Sequence, residues 1–308
     1  MISEQKKNEI VSAIVAERSL LGSMNKVANK LGINAGTISH NLMKSENWHN
    51  VSEKMWTGIA ADLGISLVNR GWNIAQTNNL KIMHRTLADA QREALFMAVS
   101  EKAGSGKTSS IADFVAKDQN SSVYSLQCEE WSRKGFLIRL AKEVGVEAGK
   151  YDSAEDITEG IVRFFKQRAK DCSPLLILDE ADKLKPAAKR FLIPLYNRLE
   201  DEIGLVCCGT ENLEKEIKNG VRKAEKGYDE IDSRLGRNFV HLVGSLRSDV
   251  ELICQANGIT ERDTVDRIFT KCKPITKSIN GKFVECVEDV RAVKRAIKAE
   301  KLRLANAA

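Results

Sequence analysis

Two spacings of apolar residues divide this chain of 308 residues. Up to residue 72 the spacing is helical. Ile10, Ile14 and the Leu20-Leu21 pair put a stripe on one side of a helix running from Glu4 to Leu21. Ser23 is placed to cap a second helix, Met24 to Leu31, and Gly32 permits a tight turn. Asn34 to Leu42 predicts a third helix. Val27, Ala28, Leu31, Ile33, Ile38 and Leu42 would face inward, leaving Asn34, Ala35, Thr37, Ser39, His40 and Asn41 more exposed. Helix, short glycine turn, helix is the helix-turn-helix arrangement. Its exposed residues are small or polar groups able to meet base edges and phosphates. A small helical domain used for protein contacts fits the same pattern.

Past residue 72 the rhythm changes. Gly71 to Asn79 has no clear period; 73–79 reads as a linker, and the segment could also seat a nucleotide base. Leu80 to Phe96 begins helical through Ile82, Leu87, Ala90 and Ala94. Short apolar runs suited to buried strands then recur: Ala94–Val99, Ser122–Cys128, Leu175–Leu178, Ile203–Cys208 and Asn238–Val243. Amphipathic stretches separate them. These are Thr108–Ala116, Glu129–Val144, Ile157–Ala169, a helix from Ala181 with Phe191, Leu192, Leu195 and Leu199 inside, and Glu211–Lys226. Such alternation predicts an α/β fold, a parallel sheet flanked by helices. The rest reads as helical: Ser248–Asn257, Arg262–Lys271 and Val287–Leu304, punctuated by Gly258 and Pro274 into a small lid.

Chemistry concentrates at the strand ends. Glu101-Lys-Ala-Gly-Ser-Gly-Lys-Thr108 lies between the first strand and a helix, the setting of a phosphate-binding loop. Gly104 and Gly106 let N–H groups curl around phosphate oxygens, and the helix N-terminus adds partial positive charge. Ala103, Ser105 and Ser109 complete the candidate cradle. Lys107 would reach the β- and γ-phosphates, and Thr108 would ligate Mg²⁺. The first glycine of the full pattern is replaced by Glu101. Leu175-Leu-Ile-Leu-Asp-Glu180 puts two carboxylates at the carboxyl end of a buried strand, where ligands bind in open α/β sheets. Asp179 would serve the Mg²⁺ shell, and Glu180 would polarise the attacking water. Thr210 ends another strand and could touch the γ-phosphate or the water; it could equally close a turn. Asp232-Ser-Arg-Leu-Gly-Arg237 precedes the last strand, where a subunit can offer an arginine to its neighbour's ATP, Arg234 first and Arg237 second; either could instead be a structural or DNA-binding arginine. Arg291 would point toward the nucleotide from the last helix, or belong to a basic face of that helix. Arg133, Lys134 and Lys150 could line a DNA path or be ordinary surface charges.

Composition adds limits. The formal charge of +6 is compatible with nucleic acid. It is uneven: nine Lys/Arg against four Asp/Glu from Lys273 to Ala308, but eight against six over residues 1–72. No apolar run approaches the ~20 residues of a membrane span. Seven cysteines without a C-x-x-C pair, together with a polar start, lead us to expect reduced thiols in a cytoplasm.

Val27 to Leu42 and Val51 to Gly64 resemble the λ-repressor-like DNA-binding family over about residues 20–65. The phosphate loop, Asp179-Glu180, Gly209-Thr210, Ser233-Arg234 and the helical tail together resemble the AAA+ ATPases over about residues 78–305. Within them, Leu176–Leu184 and Gly204–Leu213 resemble the phage Mu B and TnsC family of transposition regulators. The resemblance implies a helix-turn-helix domain (1–72), an AAA+ core (80–245) and a lid (246–308). It also implies ATP and Mg²⁺ as ligands and sensor roles for Thr210 and Arg291. Members bind double-stranded DNA without sequence choice, assemble as homo-oligomeric filaments on it and stimulate an integrase-fold transposase. Two alternatives share the motifs: an AAA+ loader of a replicative helicase, and an ATP-switched helix-turn-helix regulator.

Overall fold

The computed structural model describes residues 2–67, 72–118, 122–279 and 281–307. Helix α1 (Glu4–Leu21) begins where Ser3 accepts from the Lys6 N–H and ends at Gly22. Ser23 caps α2 (Met24–Leu31), as its hydroxyl chemistry suggests. The expected third helix is present, but changes type part-way. Asn34 caps α3 (Ala35–Thr37), which runs on as a π-helical turn, Ile38–Leu42. Helix α4 (Glu53–Asp62) follows. Ile10, Ile14, Leu21, Val27, Leu31, Ile38, Leu42 and Trp56 are buried together. Ile33 is only half-buried. The end of the predicted first domain, residues 68–71, lies outside the described residues.

The next elements are α5 (Asn78–Arg92), β1 (Phe96–Ser100), α6 (Lys107–Ala116), β2 (Val123–Gln127), α7 (Arg133–Glu143), α8 (Ala154–Arg168) and β3 (Leu175–Asp179). One helix was expected from Ala181 onward. The chain instead makes a 3₁₀ turn (Ala181–Lys183), then α9 (Pro186–Lys189) and α10 (Leu192–Leu199). Pro186 is the reason for the first break. It cannot donate within a helix and forces Lys185 into extended backbone, so it starts a new helix instead. Then come β4 (Gly204–Gly209), α11 (Glu211–Arg222), α12 (Tyr228–Arg234) and β5 (Phe239–Val240).

Among the described residues, β1 to β5 form a parallel sheet of order β2-β3-β4-β1-β5. Leu175 and Ile177 pack on one face with α5 and α6, while Leu176 and Leu178 pack on the other with α7, α8 and α10. Helices on both faces explain why β3 is apolar without alternation. The second face continues without a break into the buried residues of α1 to α4. Polar contacts reinforce that seam. Tyr124 Oη donates to the Leu20 carbonyl at 2.9 Å, and Lys30 reaches both Glu17 and Glu143. The vicinal pair Cys207-Cys208 lies in β4, buried, and burial pushes the Cys207 thiol up to about 12.

After β6 (Ser245–Leu246) come α13 (Arg247–Ala256) and α14 (Arg262–Lys271), both expected. The wholly helical tail is not found. Strands β7 (Ile275–Ile279) and β8 (Lys282–Val287) pair antiparallel, and β8 also pairs with β6. Helix α15 therefore starts at Val290 and not at Val287. The hairpin escapes a search for apolar faces because it has little buried face: Ile275 and Phe283 are exposed. Its signal in the sequence is the Asn280-Gly281 pair, a strong hairpin turn dipeptide. Val250, Ile253, Val265, Ile268, Val287, Val293 and Ile297 give this last part its own apolar cluster. Among the described residues no helix is long and apolar enough to cross a membrane.

Candidate active site

The sheet register brings the reactive strand ends side by side. Ser100, the last residue of β1, is level with Gly209, and Gln127 at the end of β2 is level with Asp179. A cavity of about 350 Å³ opens over these ends. Ala103, Gly104, Ser105, Gly106, Lys107, Thr108 and Ser109 line it, as do Asp179, Glu180, Thr210 and Arg291. The structure thus gathers the predicted phosphate-loop, strand-end and last-helix residues in one place.

The loop needs its two later glycines and not the first. Gly104 and Gly106 have φ of 86° and 95°, in the left-handed region that favours glycine. A Cβ on Gly104 would also overlap Asp289 Oδ1. Residue 101 is not among the positive-φ positions, so a glutamate there costs no backbone strain. Gly104→Ala should accordingly lower stability by about 1–3 kcal/mol through strain and overlap together. Thermal unfolding of the variant beside wild type checks this.

Lys107 Nζ donates to the carbonyls of Glu101 (2.7 Å) and Lys102 (3.1 Å) and to Ser105 Oγ (3.1 Å). Burial lowers its pKa, and the Asp179 and Glu101 carboxylates pull the other way. Thr108 Oγ1 donates to Asp179 Oδ2 at 2.7 Å. These are hard oxygen donors side by side on the cavity wall, a set that suits Mg²⁺. Burial pushes the Asp179 carboxyl up.

Glu180 adopts φ 56°, unusual for a residue with a side chain. Its Oε2 accepts from Lys183 Nζ at 2.6 Å and from Gln127 Nε2 at 3.1 Å. The Lys183 hydrogen bond holds its carboxyl below the usual range. Thr210 Oγ1 donates to Asp182 Oδ2 at 2.7 Å, and its N–H donates to Asp182 Oδ1 at 3.1 Å. The same hydroxyl caps α11 by accepting from the Asn212 N–H. Gln127 and Asp182 were not anticipated; each is a polar residue at a strand end or just beyond one. Trp72 and Lys294 were also missed as a pair. Both line the cavity, and the Lys294 ammonium sits 4.9 Å from the Trp72 ring centre.

Other predicted residues stand apart from this cavity. Arg234 donates to Asn197 Oδ1 at 2.8 and 3.2 Å and lies 5.5 Å from the Tyr196 ring. Arg237 pairs with Asp229 at 3.0 Å. Arg133 and Lys134 open α7, and Lys134 Nζ donates to the Lys150 carbonyl at 2.7 Å. On the third helix Ser39 and His40 are exposed, while Thr37 and Asn41 are half-buried.

A family model described as an AAA domain matches residues 90–217. The fold is the AAA+ P-loop fold. Two similar solved structures are Cdc6p of Pyrobaculum aerophilum and the Orc1 protein of Aeropyrum pernix in complex with DNA. The first is 15% identical with a TM-score of 0.49, over 71% of this chain and 58% of that one. The second is 15% identical with a TM-score of 0.49, over 76% and 62%. The chain thus spans about three fifths of each. A comparison with curated proteins returns no match. The AAA+ fold explains the placement of the candidate residues. In a doubly wound sheet, carboxyl strand ends converge on the helix that follows the first strand.

Proposed function

We propose that this protein is an ATPase that binds double-stranded DNA without sequence choice and, as a homo-oligomeric filament, captures target DNA and activates an integrase-fold transposase. The observation that carries the ATPase reading is the convergence of Lys107, Thr108, Asp179 and Glu180 on one cavity at the strand ends. In this reading Lys107 binds and orients the phosphates by charge, and the glycine loop offers its N–H groups to them. Thr108 and Asp179 would hold Mg²⁺, which when bound neutralises phosphate charge. Glu180 is the base that takes the proton of the attacking water. Thr210, fixed by Asp182, and Arg291 face the same space.

The arginines support a shared site. Arg234 and Arg237 lie outside their own cavity, where a neighbour's nucleotide is the target they can serve. Arg237 is the freer of the two, its side chain 54% exposed against 20% for Arg234. The DNA reading rests on the resemblance of the N-terminal helices and on the basic tail, whose phosphate contacts would give affinity without sequence choice. Electron microscopy on random duplex DNA with a slowly hydrolysed ATP analogue is the test. Continuous decoration is expected. Bare DNA, or a footprint confined to one operator sequence, would overturn the proposal.

A further inference from the structure

Glu101, the residue that departs from the glycine pattern, is tied to two other elements. Its side chain is buried. Oε2 accepts from the Leu242 N–H at 3.0 Å, just past β5. Oε1 accepts from the Lys102 N–H at 3.2 Å and faces Lys277 Nζ of β7 at 3.8 Å. Lys277 also pairs with Glu288 at 2.9 Å, and Glu288 pairs with Lys102 at 2.9 Å. Four alternating charges therefore link the first turn of the loop to the hairpin and its exit. Beside them the Val290 N–H donates to the Gly104 carbonyl at 2.9 Å, and Asp289 fills the space over Gly104. The link reaches the reactive lysine, because the Glu101 carbonyl is the nearest acceptor of Lys107 Nζ.

We propose that Glu101 and Lys277 are positioning residues of the nucleotide site: through them the β7–β8 hairpin sets the hold of the phosphate loop, and phosphate binding is felt at the hairpin. This rests on the nucleotide reading above. A carboxylate is costly to bury unless paired, so a glutamate kept here needs its partners. Glycine would leave the loop without this anchor. Moving residue 101 would shift the carbonyl that Lys107 must exchange for phosphate.

The test is titration of the full-length protein with a fluorescent ATP analogue and Mg²⁺, in wild type, Glu101→Gln, Lys277→Met and the double variant. Glu101→Gln keeps one carbonyl oxygen for the Leu242 N–H; it loses the charge and, at its other terminal atom, the acceptor of the Lys102 N–H. Each single change should weaken binding about threefold to tenfold, and the double change by less than the product of the two, because the Glu101–Lys277 contact is lost in both. Turnover should show a raised KM with kcat little altered. In wild type, nucleotide should slow amide hydrogen exchange across Lys282–Val287; in either variant it should not. That last readout separates positioning from a general loss of stability. Lys277→Met lies on a largely exposed hairpin and carries the test alone if Glu101→Gln fails to fold. Wild type that binds no nucleotide would sink the underlying reading. Wild type that binds, with variants indistinguishable from it or additive in the double, would sink this inference only.

Discussion

Glu180→Gln should reduce ATP turnover about a hundredfold to a thousandfold while leaving ATP-dependent retention of DNA intact. The glutamine has the same shape and meets the same left-handed backbone, so it adds no strain to φ 56°. It keeps an acceptor for Gln127 and for Lys183. What it loses is the ability to take a proton from water. Folding should be little affected, because the Glu180–Lys183 pair is part-exposed at 30% and 46%, and such pairs contribute up to about 1 kcal/mol. Phosphate release measures the first effect, and co-sedimentation with random duplex measures the second. If DNA retention vanished along with turnover, ATP binding alone would not hold the complex, and a cycle in which hydrolysis releases DNA would be wrong.

The residues of that prediction were legible in the sequence because their chemistry is local. A glycine-bearing loop between strand and helix, and an acidic pair ending an apolar strand, each carry their meaning within about eight residues. The order of strands on the page of the sequence also sufficed for an α/β sheet. What was not legible depends on distant register. Gln127 matters because β2 lies beside β3 and ends level with Asp179. Asp182 matters because the turn after β3 folds back toward the end of β4. Neither residue type is remarkable in its own neighbourhood.

Glu101 is the sharper case. As a local pattern it was only a defect in a glycine motif. The structure supplies the reason it is tolerated, an ordinary φ, and the reason it is held, partners beyond β5 and on β7. The hairpin that holds it was itself missed. Apolar periodicity detects elements by the face they bury, and β7 and β8 bury little. The same limit hid the seam between the N-terminal helices and the sheet, since periodicity says which face is buried but not against what.

At that seam, Lys30→Met should destabilise the protein by about 3 kcal/mol. The Lys30 side chain is 8% exposed, with Glu17 of α1 at 3.2 Å and Glu143 of α7 at 2.9 Å. Burial alone would lower the lysine's pKa, but Glu143 and Glu17 outweigh it and the net direction is upward. Burial raises Glu143 in spite of the lysine. The ammonium therefore compensates two carboxylates that have little water of their own. Methionine fills much of the same volume and leaves them facing each other without a cation. The lower end of the range for a broken buried pair applies, because Glu17 and Glu143 keep 18% and 21% exposure. Thermal unfolding measures the loss, and limited proteolysis between Asp62 and Asn78 reports whether the N-terminal helices come away first. Adding Glu17→Gln and Glu143→Gln to Lys30→Met should restore most of the stability, since it removes the uncompensated charges. A Lys30→Met protein as stable as wild type would mean that the apolar seam and the Tyr124–Leu20 hydrogen bond hold the module without help from charge. Nucleotide affinity should not change in either variant, because the seam lies on the sheet face and the cavity over its strand ends.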